Sequence, residues 1–196
     1  MRQKMMQLVM LASIGVLHFM MEGNAQAQTG QYFRFPSFGG GVAHGFNDTH
    51  DFHEGWYHTG WDIFGPGNKA TYILASAYGV VDSITNEHNM GNCVIIRHKV
   101  VVNSKGATGT FYTLYAHLAS TTVKVGQSVA GGDIIGVMGK TGNDAYPIHL
   151  HFEVKTMGVT GDSSNPSAYW GYTPHEAQNY GYVDPDFVVG HWYAIK

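Results

Sequence analysis

Five residues, His58, Asp62, His117, His149 and His151, fall in three short motifs whose side chains suit a metal ion and the proton transfers around it. The motifs are His58-Thr59-Gly60-Trp61-Asp62, Tyr115-Ala116-His117-Leu118 and His149-Leu150-His151-Phe152-Glu153. Zinc takes a small tetrahedral set of nitrogen, sulfur or oxygen ligands, and a catalytic site keeps one position open, so three protein ligands are wanted. With Cys93 the single cysteine, a thiolate-rich structural site is excluded, which leaves imidazole plus carboxylate. Each motif alone also has an ordinary reading: a polar strand face, a polar loop, a hydrogen-bonded core histidine. Their combination, in this order and with glycine-rich sequence between them, points to a metal-dependent hydrolase.

The elements that must carry these groups read as β-strands. In Ile148 to Val154, polar and apolar residues alternate, so His149, His151 and Glu153 share one face while Leu150 and Phe152 enter the core. Phe111 to Leu118 is another strand-like run, which His117 closes. A helix would also align His58 with Asp62, but Gly60 and Phe64-Gly65-Pro66-Gly67 argue for an extended turn. From Tyr72 to Lys155 the pattern is all β: short apolar runs (Gly79 to Ile84, Cys93 to Arg97, Asp133 to Met138) are separated by glycine-bearing turns. No long amphipathic helix, heptad or fixed-period repeat is present.

At about Gly55 to Lys155 the chain resembles the lysostaphin/LytM-type zinc metallopeptidases, which cut peptidoglycan peptides. The resemblance extends beyond the metal motifs to Asp62-Ile63, Gly65-Pro66-Gly67, Ala75, Gly79-Val80-Val81 and Gly91 to His98. It continues in Val125 to Val129, Ile135-Gly136 and Gly139-Lys140-Thr141-Gly142. It departs from the family at Trp61, which replaces an aliphatic residue, and in a long stretch from His98 to Thr110. The resemblance implies a two-sheet antiparallel β fold with a groove floored by metal. It also implies Zn2+ as cofactor, His58, Asp62 and His151 as its ligands, and His117 and His149 as catalytic histidines that are not ligands. Such histidines orient the attacking water, take its proton and stabilise the tetrahedral intermediate. Glu153 could act as a general base by its chemistry, or stand behind His151 or at the surface.

Composition agrees with a small exported enzyme. Residues 1–27 have a basic start, an apolar run from Met5 to Met21 and Ala25-Gln26-Ala27 as a small-residue cleavage site, the pattern of a secretory signal rather than a retained membrane anchor. The destination expected is the periplasm, the extracellular space or the cell wall. A formal charge of −3 and the lack of a basic patch argue against nucleic-acid binding. Cys93, alone and in an apolar run, reads as a buried small hydrophobe. The partners expected are peptidoglycan peptides, with the chain a monomer.

The expected organisation is an N-terminal extension over 28–54, a metallopeptidase core over 55–157 and an aromatic, glycine-rich extension over 158–196 packed on the core. The cluster of His44, Asn47, Asp48, His50, Asp51, His53 and Glu54 reads as a solvated loop, or else as a latency device in which Asn47 or Asp48 fills the open metal position. Trp170, Tyr172, Tyr180 and Tyr182 either wall a substrate groove or cover a sheet edge. His175 and His191 read as surface or packing residues. Two further function classes share this sequence: a catalytically inactive relative that activates a wall amidase, which would lack some of the five site residues, and a zinc peptidase acting on proteins.

Overall fold

The computed structural model describes residues 31–49, 55–101, 108–143, 147–156, 171–190 and 192–193. The expected signal segment, Trp170 and His191 lie outside these residues. Strands dominate, joined by turns; the helical pieces among the described residues are three short 3-10 turns, Pro66–Asn68, Ala177–Tyr180 and Pro185–Phe187. None of the helices is long and apolar enough to cross a membrane.

The large sheet is antiparallel and runs in the spatial order Ser128–Val129, Gly79–Glu87, Gly91–Val101, Thr108–Ala116, Leu150–Lys155, Trp61–Phe64, Gly41–His44. Leu150–Lys155 also pairs with the short strand Tyr182–Val183, beyond the end of its pairing with Trp61–Phe64. A second sheet is built from Tyr72–Leu74, Ile134–Met138 and Leu118–Thr121. The two-sheet antiparallel architecture is therefore present. At the two ends of the long stretch from His98 to Thr110, the central strands stay paired, His98 opposite Phe111 through to Val101 opposite Thr108; residues 102–107 lie outside the described residues.

Strand alternation decides what lies between the sheets. Val94 and Ile96, Tyr115, Leu150, Phe152 and Val154, and Trp61 and Ile63 point from the large sheet into one core, where they meet Ile73, Leu118, Ile135 and Met138 of the small sheet. Each such side chain contributes about 1.5–3 kcal/mol through removal from water. The opposite face of the large sheet carries a smaller apolar cluster of Met90, Cys93, Ile95, Leu114 and Ala116. Cys93 is a buried free thiol, with burial pushing its pKa up to about 12. This second face also holds His151, Glu153 and Asp62, because each alternates with a core residue on its own strand.

One buried polar chain crosses the main core. His98 donates from Nδ1 to the Tyr78 carbonyl at 2.8 Å, and its Nε2 accepts from the Thr113 hydroxyl at 2.8 Å. Thr113 lies 3.0 Å from the Tyr115 hydroxyl, which is 2.8 Å from Ser76 Oγ. Burial pushes the His98 imidazole down to about 4, the backbone hydrogen bond opposing only in part. In the unfolded chain this group takes a proton at about pH 6.5, in the folded chain only near pH 4, so its contribution is complete above the former and is lost as pH falls towards the latter. Between pH 7 and 4.5 the loss expected is about 2–3 kcal/mol. Urea unfolding midpoints of the wild-type chain and His98→Gln at both pH values test this. An equal acid dependence in the two proteins would show that His98 does not carry it.

Candidate metal centre

The site is assembled where three strands present polar residues on the face away from the core. Asp62, between the core residues Trp61 and Ile63, lies directly opposite His151 in the antiparallel register, and His151 lies opposite Ala116 on its other side. His58 comes from the two-residue strand Tyr57–His58, separated from Trp61–Phe64 by a bend at Thr59 and Gly60. That bend demands glycine: a Cβ at position 60 would stand 2.1 Å from the Phe152 carbonyl oxygen. The extended-turn reading of this motif thus becomes two short strands and a close approach to the strand bearing His151.

The three side chains converge. His58 Nε2 lies 3.0 Å from His151 Nδ1 and 3.3 Å from Asp62 Oδ1, and His151 Nδ1 lies 2.9 Å from the same Asp62 oxygen. Ligand atoms bonded to tetrahedral zinc at about 2.0–2.1 Å stand roughly 3.3 Å from one another, so the donor set and its spacing fit the ion. The ring nitrogens turned away from the cluster are both occupied. His58 Nδ1–H donates to the Gly45 carbonyl at 2.8 Å, and His151 Nε2–H donates to Glu153 Oε1 at 3.1 Å. These bonds select the tautomers that leave His58 Nε2 and His151 Nδ1 as lone-pair donors.

His117 and His149 stand beside this group, their ring centroids 4.5 Å apart. His117 does not close its strand; it occupies the junction between Thr108–Ala116 and Leu118–Thr121, with φ at +61°. For a residue with a Cβ this left-handed conformation costs about 1–2 kcal/mol. It is held by hydrogen bonds from the His117 N–H to the Met90 carbonyl and from the ring Nδ1–H to the Thr141 carbonyl, both 2.9 Å. His149 precedes the Leu150–Lys155 strand and bridges Gly139, where a Cβ would stand 2.4 Å from the Ala119 nitrogen. Its Nδ1–H donates to the Pro147 carbonyl at 2.8 Å, and its Nε2 lies 3.5 Å from Asp62 Oδ1. Both imidazoles are therefore pinned through Nδ1 and present Nε2.

A family model described as Peptidase family M23 matches residues 56–166, which contain all five of these residues. The chain belongs to peptidase family M23. ShyC of Vibrio cholerae, a peptidoglycan DD-endopeptidase by name, is 36% identical over 102 residues, covering 52% of this chain and 21% of the relative. The chain spans only 15% to 34% of the length of curated relatives that it matches. A zinc-containing peptidase from Vibrio cholerae superposes with a TM-score of 0.51 at 28% identity, over 63% of this chain and 36% of that one. The catalytic domain of lysostaphin from Staphylococcus simulans shares the fold, with a TM-score of 0.54 at 23% identity over 76% and 92% of the two chains.

Behind the cluster of His58, Asp62 and His151, Glu153 is fully buried, which removes its surface reading. Its Oε1 accepts from the Thr59 hydroxyl at 2.6 Å as well as from His151. Thr59 was not legible as a site residue; only its place next to His58 hints at it. Burial raises the pKa of Asp62, but the His58 charge and hydrogen bonds from His149, His151 and His58 outweigh this and hold it well below the ordinary carboxylate range. His151 is lowered by burial and raised more strongly by its bonds to Asp62 and Glu153, to about 9 without metal. Burial, with the neighbouring His149 and His151 charges, pushes His117 down to about 3.

The latency reading of Asn47 is overturned. Its Oδ1 accepts from the Ala177 N–H and its Nδ2 donates to Gln178 Oε1, both at 2.8 Å, so neither polar atom is turned to the open metal position. A positive φ of 60° at Asn47 sets this direction. Asp48 faces His44 at 3.8 Å, and its backbone pairs with His58. In the C-terminal extension of this M23 chain, Tyr172 lies against His58, while Tyr182 is buried on the sheet with Lys155 over its ring, as the sheet-cover reading expects. His175 is exposed, as expected of a surface residue.

Proposed function

We propose that this protein is an exported zinc endopeptidase that hydrolyses peptide bonds in peptidoglycan stem peptides or cross-bridges. The observation that carries the reading is the convergence of His58 Nε2, Asp62 Oδ1 and His151 Nδ1, with both imidazole tautomers set by hydrogen bonds from behind. The named activity of ShyC and the zinc content of the Vibrio peptidase support the substrate class and the metal. The signal-like pattern of residues 1–27 supports export.

In this reading His58, Asp62 and His151 hold the ion. Bound zinc supplies Lewis acidity, lowering the pKa of a water to about 7 and polarising a carbonyl. The work of the chain's own side chains follows from their geometry. Nε2 of His117, kept unprotonated by burial, is a hydrogen-bond acceptor over the whole neutral range. Nε2 of His149, beside the Asp62 carboxylate, can take a proton and return it to a leaving amine. Glu153 and Thr59 hold the His151 ring so that its Nδ1 keeps facing Asp62.

Digestion of purified cell walls of differing bridge chemistry, with mass analysis of the fragments, tests the proposal. Fragments cut within peptides are the result expected. Release of sugar-cleaved products alone would overturn it. Stimulation of a wall amidase by His149→Ala, without peptide cleavage by the wild-type chain, would favour the activator class, although all five site positions are filled here. Cleavage of unrelated proteins with walls left intact would favour a general peptidase.

A further inference from the structure

The stretch from Gly171 onward lies beyond residues 56–166, the part of the chain matched by the M23 model, and yet it touches the metal cluster. The Gly171 carbonyl accepts from the Thr59 N–H at 2.9 Å, and Tyr172 and Thr173 pair with His58 and Tyr57. The Tyr172 ring lies against the His58 ring, centroids 5.3 Å apart and tilted by 42°. Asn47 ties residues 177 and 178 to the loop whose Gly45 carbonyl takes the His58 Nδ1–H, so this segment reaches His58 from its backbone, its face and its hydrogen-bond acceptor.

His58 has particular need of such support. Asp62 and His151 sit on strands paired on both sides within the large sheet, whereas Tyr57–His58 is a two-residue strand outside it, paired with Tyr172–Thr173 and bonded on its other side to the turn at Asn47 and Asp48. The Nδ1 hydrogen bond holds one edge of the imidazole, and tilting of the ring plane about that edge would swing Nε2 away from the other two ligand atoms. The Tyr172 ring packed beside it, tilted by 42°, limits that motion.

We propose that Tyr172 is a positioning residue of the metal centre, its ring holding His58 at the angle at which Nε2 faces Asp62 and His151. The proposal rests on the reading of His58 as a metal ligand and adds that a residue outside the family domain sets the quality of the site. Residues that orient ligands typically change metal affinity or activity by about 10- to 100-fold when removed.

The test uses the full chain with Tyr172→Leu, Tyr172→Met and Tyr172→Phe. Zinc affinity is read by competition with a chelator, the ligand field by the visible absorption of the Co2+ form, and fold integrity by thermal melting. Tyr172→Leu should bind zinc about tenfold more weakly or worse and show an altered Co2+ spectrum, while Tyr172→Phe restores both. Tyr172→Met, whose longer chain fills the space adaptably, carries the same expectation where the leucine variant does not fold. Wild-type affinity and spectrum in the folded leucine or methionine variant, with only the melting temperature lowered, would overturn the proposal. So would a phenylalanine variant as impaired as leucine, since the ring face would then not be the cause. No Co2+ or Zn2+ binding by the wild-type chain would overturn the metal site and this role together. Normal binding without wall cleavage would overturn the proposed activity alone and leave the positioning role standing.

Discussion

His151→Ala is expected to leave the protein without zinc and without measurable peptide hydrolysis. His58→Ala and Asp62→Ala should behave alike, because an open site held by two remaining protein ligands keeps its ion poorly. His151 carries a further penalty. Its Nε2–H satisfies the fully buried Glu153, and removing one partner of a buried ion pair typically costs about 3–5 kcal/mol. The three variants should therefore separate in thermal stability even when stripped of metal, with His151→Ala the least stable. Metal analysis, turnover and melting curves of all three provide the check. Stoichiometric zinc in each would show that the ion is held by other groups.

His117→Ala and His149→Ala are expected to keep their zinc while losing about 10²- to 10⁴-fold in turnover, the usual worth of a positioned proton-transfer group. The structure makes the separation sharp. Both rings are anchored through Nδ1 to backbone carbonyls, of Thr141 and Pro147; truncating His117 leaves the three ligand side chains and their supports in place, and truncating His149 removes only its 3.5 Å contact with Asp62, which His58 and His151 still hold. Because the His117 pKa is pushed down to about 3, its protonation is not the event that limits activity between pH 5 and 7. Metal content measured beside turnover distinguishes the roles: a large loss of zinc in His149→Ala with none in His151→Ala would mean that the ligand and catalytic parts of the pair are exchanged.

The central strands were legible because alternation is a local property. His151 and Glu153 share a face, and Leu150 and Phe152 the core, for the same reason that Val94 and Ile96 do. The His117 junction was not legible as such: a strand-like run continues through it in sequence, and only the hydrogen bonds from Met90 and Thr141 hold it in a left-handed turn. Of the two readings open for Asn47, the latency one fails for a related reason. A dense polar cluster just before His58 suggests local capture, whereas the Asn47 partners lie at residues 177 and 178, a separation of 130 positions or more.

By itself the sequence determined the residue types the site would use, the face on which His151 and Glu153 would stand, and the class of chemistry open to them, since side-chain chemistry and a two-residue period need no distant information. The tertiary structure alone decided which nitrogen of each histidine is free. His58 and His151 are 93 positions apart, and their tautomers depend on the Gly45 carbonyl and on Glu153 being brought to the opposite edges of the rings. The same holds for Tyr172. Its approach to His58 comes from the pairing of a two-residue strand with a segment more than 110 residues later, a contact that no local pattern encodes and that folding of the two sheets makes possible.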